Sequence, residues 1–267
     1  MTTESDNPTP EAEDDDGTRM PLREHLEELR GCVARAAGVL FALFLAGMIF
    51  DEPFVAFMNG PWEAVRESMV AAGDPDPGKL SFIKPTEGFL FSMKVALSFA
   101  LLVGGPYLLF EVWRFVGIGL HDHERKAVLR SLPFAVLLFA LGLGFGFYVA
   151  VPIAMPVLLT WVSVDLAQPV ITLQEYLSLL LTLSLLLGFV FELPIIMWLV
   201  VRAGLIEVKT FSDNRRVALL VMLVFAAIMT PPDVITQLLV VLPMAVLFEI
   251  GLLLGRRAQT ARDRSVL

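Results

Sequence analysis

Lys94, Glu192 and Glu249 are ionisable residues that stand inside long apolar runs of the sequence. A charge deep in a bilayer is costly, and such residues are usually paired or kept for a function. Glu192, in LLLGFVFELPIIMW, is either protonated or hydrogen-bonded to a neighbouring helix, or it is a polar site for a substrate or partner helix. We favour the second interpretation. Lys94 and Glu249 lie within about two turns of the ends of their runs, so both could instead reach the membrane surface.

A second set of carboxylates flanks the apolar runs: Glu24, Glu27 and Glu28 before the first run, and Glu124 after the second. Carboxylates that face two adjacent guanidinium groups can accept paired, bidentate hydrogen bonds, a geometry that lysine matches poorly. Taken alone, the spacing of these acids favours ordinary surface charge over such a site.

Enzyme and metal-site patterns are absent from the sequence. There is no Gly-x-Ser-x-Gly, His-Glu-x-x-His, P-loop or Gly-x-Gly-x-x-Gly fingerprint. His121 and His123 form a His-x-His pair, but the chain offers no further ligands at plausible spacing. We therefore expect no catalysis, no cofactor and no metal. Cys32 is the single cysteine, which excludes an internal disulfide.

The composition is that of an integral membrane protein. Apolar residues make up 56% of the 267 positions, charged residues only 18%, and the mean hydropathy is +0.72. Soluble domains carry about 25% charged residues. The formal charge of −8 reflects an acidic start, residues 1–19, which we predict to be a disordered cytoplasmic tail because it has too little apolar surface to fold.

Six apolar segments predict an all-α bundle of six transmembrane helices in residues 20–255, followed by a basic tail, residues 256–267. The predicted spans are residues 36–50, 88–113, 131–152, 176–201, 217–229 and 234–254. The fifth is short for a bilayer of ~30 Å, so we expect short fifth and sixth helices that form a tight hairpin. Prolines within spans two, four and six predict a curved bundle; they are Pro106, Pro194 and Pro243.

The basic residues predict the orientation. Sixteen of the twenty lie in the N-terminal segment, the loops after spans two and four, and the C-terminus, which by the positive-inside rule places both termini in the cytoplasm. An amphipathic helix before span one should lie at that surface. We expect the charged stretch at residues 110–130 to be a cytoplasmic loop, and residues 51–87 and 153–175 to cover the outer surface.

Six blocks of sequence resemble one family. They are HLEELR (25–30), PTEGFLFSMK (85–94), PYLLFEVWRFVGIGLHDHERK (106–126), FELP (191–194), TPPD (230–233) and PMAVLFEIG (243–251). Found in this order along nearly the whole chain, they resemble the TatC family, the multispanning receptor of the twin-arginine protein translocase.

The resemblance implies a function. The substrate would be a folded protein whose signal peptide carries paired arginines, recognised at the cytoplasmic face of the cell membrane by Glu28, Glu124 and Phe115. Leu26, Arg30 and Glu111 belong to the matching blocks beside them, and we include them in the predicted site. The resemblance also implies export driven by the proton motive force, in an oligomeric assembly with the single-span partners TatA and usually TatB, and no nucleic acid.

For partner contacts within the membrane, the resemblance points to Glu192 and to Asp233, and we add their neighbours and the other intramembrane charges. The added residues are Glu249, Lys94, Thr230 and Pro231. A proton-coupled small-solute transporter that uses Glu192 or Lys94 is the alternative function.

The chain departs from the family pattern twice. Phe110-Glu111 replaces the usual Tyr-Gln, which adds a carboxylate near the predicted arginine site, and Ile118-Gly119-Leu120 replaces Pro-Gly-Leu, which loosens the turn.

Overall fold

The computed structural model describes residues 22–84, 86–118, 122–161, 170–231 and 233–266. Within these ranges the regular elements are helices, apart from one isolated bridge between Ser81 and Thr172. The helices are α1 (Leu22–Ile49), α2 (Asp51–Met58), α3 (Gly60–Ala72), α4 (Glu87–Ile118), α5 (Asp122–Phe145), α6 (Val151–Thr160), α7 (Leu173–Phe191), α8 (Leu193–Arg202), α9 (Val208–Asp213), α10 (Arg215–Met229) and α11 (Val234–Val266). The all-α prediction is confirmed. The acidic segment 1–19 lies outside the described residues.

Five helical stretches are long and apolar enough to cross a membrane: Leu26–Ile49, Glu87–Phe115, Leu129–Thr160, Leu173–Arg202 and Val234–Thr260. They correspond to the predicted spans one to four and six, although the first stretch ends one residue before the predicted residue 50. The expectation of a short sixth helix is wrong: α11 has 33 residues. The predicted fifth span falls on α10, whose 15 residues cover only about 22 Å of the ~30 Å hydrocarbon layer. The chain is thus a multi-pass membrane protein. A membrane crossing by α10, which would bring the total to six, stays a prediction.

The charged stretch at residues 110–130 is mostly helical, which corrects the expectation of a loop. Helix α4 continues to Ile118 and α5 begins at Asp122. Acidic residues at a helix N-terminus are favoured by the helix dipole, and Asp122 and Glu124 both stand in the first turn of α5. The stretch therefore extends two spans beyond the apolar runs.

The third predicted span also continues further than expected. After α5, a π-helical turn, Gly146–Ala150, leads directly into α6, which ends at Thr160, whereas we expected an outer loop from residue 153. Pro152 cannot donate a backbone hydrogen bond and its ring crowds the preceding turn. The wider π turn lies directly before this proline and gives its ring room, so the helix is not ended there.

Helices α7 and α8 form one broken helix. Thr172 caps α7: its hydroxyl accepts a 3.1 Å hydrogen bond from the N–H of Glu175, whose carboxylate accepts one from Thr172. Helix α7 ends at Phe191, and Pro194 lies in the first turn of α8, where its missing N–H and fixed φ suit a helix start. Glu192 stands at the break. Pro106 and Pro243 lie within α4 and α11 without ending them.

Helices α2 and α3 cover the predicted outer end of the bundle. Trp62 is 1% exposed, and its ring packs edge-on against Tyr176, with 5.7 Å between centroids. The Tyr176 hydroxyl donates a 2.7 Å hydrogen bond to the carbonyl of Met58. These contacts fasten the covering helices to α7.

An exposed ion pair closes the segment that follows α3. Arg66 donates hydrogen bonds of 2.9 and 2.7 Å to the carboxylate of Asp76, which also accepts a 2.9 Å bond from the N–H of Gly78. The Arg66 guanidinium, with help from the Gly78 N–H, lowers the pKa of Asp76 to about 2.

The C-terminal segment is held by the fold. Helix α11 runs through residues 256–266, which we had assigned to a basic tail, and Gln259 accepts a 3.2 Å hydrogen bond from the N–H of Val208. Val208 is the first residue of α9, so this bond satisfies one of the free N–H groups that every helix start exposes.

Close packing joins α5 to α7. A Cβ atom on Gly142 would lie 2.5 Å from the carbonyl oxygen of Leu187 and 2.8 Å from the Cα of Gly188. Backbone atoms of two helices approach this closely only where side chains are very small, as at the small-residue contacts typical of membrane helices.

We expect Gly142→Ala to lower the stability of the protein in detergent by about 1–3 kcal/mol, because the new methyl group meets backbone atoms that cannot rotate away. Gly144→Ala is the matched control: nothing lies within 4 Å of its Cβ position, and alanine favours a helix more than glycine does. Thermal unfolding of both variants measures the difference, and equal midpoints would contradict the packing argument.

The Arg66–Asp76 pair should make stability depend on pH. Because the folded pKa of Asp76 lies below its usual value of 3.8, the pair's contribution is present above pH 3.8 and is lost as the pH falls toward 2. We expect the thermal midpoints of the wild type and of Asp76→Asn to differ at pH 5 and to converge on acidification. A difference that stays constant down to pH 2 would exclude this titration.

Candidate functional site

Helices α1 and α4 pack side by side in opposite directions, which determines where the predicted recognition residues lie. Three contacts give the alignment: Gly47 lies against Ala96, Leu40 and Leu43 against Gly104, and Arg35 against Glu111. Residues nearer the start of α1 therefore contact residues nearer the end of α4. The start of α1 therefore lies beside the end of α4.

Glu111 is buried between these two helices, with 3% of its surface exposed. Its carboxylate accepts two hydrogen bonds from the Arg35 guanidinium, of 3.1 and 3.0 Å, and one of 2.9 Å from the hydroxyl of Tyr107. The Arg114 guanidinium lies 3.7 Å from the same carboxylate. One Nη of Arg35 also donates to the sulfur of Cys32 at 3.1 Å. The carboxylate that departs from the family pattern is thus paired within the chain.

Glu28 lies level with the end of α4. It stands seven residues before Arg35, about 10 Å along the helix, and the same step from Glu111 reaches Ile118, the last residue of α4. Helix α5, which carries Glu124 in its first turn, begins four residues later. The Glu28 side chain is half-buried; the side chain of Glu124 lies outside the described part of the structure.

The other predicted recognition residues surround this level. Leu26 is 60% exposed and Arg30 is exposed, so the face of α1 next to Glu28 is accessible. Phe115 follows Glu111 by one helical turn and is half-buried, with a contact of its own to the rest of the chain. The α1–α4 alignment therefore brings Glu28 and Phe115 to the same end of the bundle.

Glu192 lies elsewhere, at the break between α7 and α8, and is 2% exposed. Trp113 and the backbone of Phe139 face its carboxyl group, but within the described ranges no donor reaches hydrogen-bonding geometry to either oxygen. Around it, Leu109, Phe139 and Ile195 belong to one apolar cluster. A buried polar group without a hydrogen bond costs free energy.

Lys94 and Glu249 have partners. The Lys94 ammonium donates to the hydroxyl of Ser178, and the carbonyl of Gln174 lies 3.5 Å away, which ties α4 to α7. The Glu249 carboxylate, 52% exposed, pairs with Arg215 at 3.1 Å, which ties α10 to α11. Both residues link helices, whereas Glu192 does not.

The turn between α10 and α11 contains Thr230, Pro231 and Asp233. The Asp233 carboxylate accepts a 2.7 Å hydrogen bond from the N–H of Thr236 and a bond from its hydroxyl, an N-cap arrangement for α11. Thr230 is buried and donates its hydroxyl to the carbonyl of Ala226 at 2.9 Å. The three residues thus define the hairpin that joins the last two helices.

An apolar groove of about 520 Å³ is lined by the end of α7 and by α8, α9, α10 and α11. Met197, Val221, Phe225 and Phe248 are among its lining residues, and polar side chains line it only at the α9 end, through Thr210 and Asn214. Its walls offer apolar contact without charge.

Arg35 is the residue that sequence reasoning missed. Its position directly before the predicted first span groups Arg35 with the basic residues that flank the spans. In the structure it lies within the apolar stretch of α1. The signal was present: Glu111 and Arg35 are opposite charges, each slightly inside neighbouring antiparallel spans, and at the same depth such charges are expected to pair.

Comparisons with known proteins agree with this architecture. A family profile described as Sec-independent protein translocase protein (TatC) matches residues 24–243. TatC of Carboxydothermus hydrogenoformans is 32% identical over 238 residues, 89% of this chain and 93% of that protein. TatCy of Bacillus subtilis is 29% identical and covers 92% and 93%. A crystal structure described as the twin arginine translocase receptor TatC matches with a TM-score of 0.73 at 28% identity, covering 88% of this chain and 99% of that one.

These matches confirm the resemblance read from the six sequence blocks, and they do not favour the small-solute transporter. The profile spans most of the chain, and the relatives match over nearly their full length. The chain belongs to the TatC family of Sec-independent protein translocase proteins.

Proposed function

We propose that this protein is the signal-peptide receptor of a twin-arginine translocase, and that Glu28 and Glu124 bind the paired arginines. The observation that carries the proposal is the α1–α4 alignment, which sets Glu28 level with the end of α4, four residues before the start of the helix that carries Glu124. Two glutamates on different helices at this end of the bundle would supply one carboxylate for each of two adjacent guanidinium groups.

The chemistry favours arginine over lysine. A guanidinium donates two parallel hydrogen bonds to a carboxylate, while an ammonium acts as a point charge. Phe115 provides an aromatic face against which a guanidinium or an apolar residue can stack, and the exposed Leu26 offers apolar contact. Arg30 adds a positive charge beside Glu28. Recognition thus proceeds by binding, without bond chemistry or a cofactor.

The proposal places both termini and the recognition surface in the cytoplasm and counts α10 as a sixth span. Sixteen basic residues on one side support this orientation. Since α10 covers only about 22 Å, the bilayer beside it should be thinner than usual. A thin bilayer lowers the barrier to passage of a folded protein driven by the proton motive force.

We further assign partner contacts to the membrane part of the bundle. Glu192 has a buried carboxyl group without a hydrogen bond in the described structure, so a polar group on a partner helix would relieve its cost. Single-span proteins of the TatA and TatB type are the proposed partners. The α10–α11 turn with Thr230, Pro231 and Asp233 would contact them at the outer end, and Lys94 and Glu249 would order the helices around the contact.

Substitution of the two carboxylates tests the receptor proposal. We expect Glu28→Ala and Glu124→Ala each to weaken binding of a twin-arginine signal peptide about tenfold or more, because each removes charge-assisted hydrogen bonds worth about 1.5–3 kcal/mol. Binding of a labelled peptide to the purified protein in lipid nanodiscs gives the affinity.

Glu27→Ala is the matched control, because Glu27 has the same charge as Glu28 and directly precedes it in the same helix. Its side chain points about 100° away from that of Glu28 around the helix axis. If both test variants bind the peptide as tightly as the Glu27 variant, the proposed recognition role is excluded.

Replacement of Glu192 tests the partner proposal. Glu192→Leu should leave thermal stability unchanged or raised, since the lost carboxyl group has no hydrogen bond to lose, yet should reduce copurification of single-span partners severalfold. A clear loss of stability, with partners retained in proportion to the folded protein, would instead make Glu192 a structural residue.

A further inference from the structure

We infer that the Arg35–Glu111 ion pair is a positioning device for signal-peptide recognition: it sets the depth of α1 against α4, and so places Glu28 opposite the helix that carries Glu124. This inference rests on the proposed function. It assigns to Glu111 a role inside the receptor instead of direct contact with the signal peptide.

The first argument is the occupancy of the Glu111 carboxylate. A carboxylate has about four acceptor positions, and three are taken by two bonds from Arg35 and one from Tyr107. Arg114 lies 3.7 Å from one oxygen, and the residue is 3% exposed. A guanidinium of the signal peptide would have to displace an internal one to reach it.

The second argument is the attachment of α1. In the described ranges, α1 packs chiefly against α4 and makes a smaller contact with α2. Only 11% of the most apolar part of α1 is buried within the protein. Apolar contacts along a helix pair permit sliding, because neighbouring registers bury similar surfaces. A bidentate ion pair has one favourable geometry, and moving the half-exposed Arg35 away would leave the buried Glu111 carboxylate without its main partner.

The third argument is that one continuous helix connects the Arg35–Glu111 ion pair to Glu28. Glu28 stands two turns from Arg35 on the same continuous helix, so a shift of α1 along α4 moves Glu28 by the same amount. Bidentate hydrogen bonding to a guanidinium tolerates only small displacements. Loss of the pair should therefore reduce the preference for arginine over lysine as well as the affinity.

A charge swap separates positioning from direct binding. Arg35→Glu and Glu111→Arg should each weaken binding of a twin-arginine peptide about tenfold or more, whereas the double variant restores the pair with reversed sign and should bind within about threefold of the wild type. If Glu111 were a ligand, the double variant would present an arginine to the peptide and fail to bind, which would overturn the inference.

The binding measurements use the full chain in nanodiscs, with a twin-arginine peptide and the same peptide carrying two lysines. Each single variant should reduce the affinity ratio between the two peptides, and the double variant should restore it. A general loss of folded protein lowers both signals equally and leaves the ratio unchanged. Single variants that keep the wild-type affinity and ratio would also overturn the inference.

Two further comparisons keep the result decisive. Where a charge variant fails to fold, Arg35→Gln, Glu111→Gln and their combination replace the swap. Each single variant leaves one charge unpaired and should weaken binding, whereas the combination leaves none unpaired and should lose less affinity than either single variant. The swap Arg66→Glu with Asp76→Arg breaks and restores an ion pair at the other end of the bundle, and should leave peptide binding unchanged throughout. Failure of the receptor proposal is distinct: Glu28→Ala and Glu124→Ala would then bind normally whatever the Arg35 variants do.

Discussion

The burial of Glu111 is the constraint on which the arrangement of the first helix depends. A carboxylate with 3% exposure inside an apolar bundle is tolerated only when its charge is matched and its oxygens are bonded. Arg35 and Tyr107 meet both conditions from two different helices. The long apolar faces of α1 and α4 supply most of the contact area, and the ion pair selects one alignment among those that the apolar faces would allow.

The rest of the bundle is held together by hydrogen bonds and by close backbone packing at different positions along its length. At the end of the bundle covered by α2 and α3, Tyr176 bonds to the backbone of Met58 and Lys94 bonds to α7. In the middle, glycine at position 142 lets α5 approach the backbone of α7. Within the described residues, the buried side-chain groups without a hydrogen-bond partner are the Trp62 indole N–H, the Ser184 hydroxyl and the Glu192 carboxyl group. Of these groups the carboxyl is the most costly to bury unpaired, which supports the proposal that it meets a polar group of a second molecule.

The sequence predicted the helical class, the apolar segments that contain five spans, and the family, because hydrophobic length and short motifs are local properties. It misjudged where helices end: residues 114–118 and 122–130 are helical although they are charged, and α6 continues past Pro152, since dipole and π-turn effects are invisible to hydropathy. Arg35 was missed for another reason. Its role depends on a residue 76 positions away, and only the packing of α1 on α4 brings the two together.

The continuation of α11 to Val266, bonded to α9 through Gln259, has an electrostatic consequence. A flexible basic tail would spread its positive charge over a large volume, where salt screens it within about 10 Å. On a helix, the exposed Arg256 and Arg257 are held at fixed heights and angles. The positive potential at this end of the bundle is then a permanent, directional property of the folded protein, comparable to a dipole built into its surface.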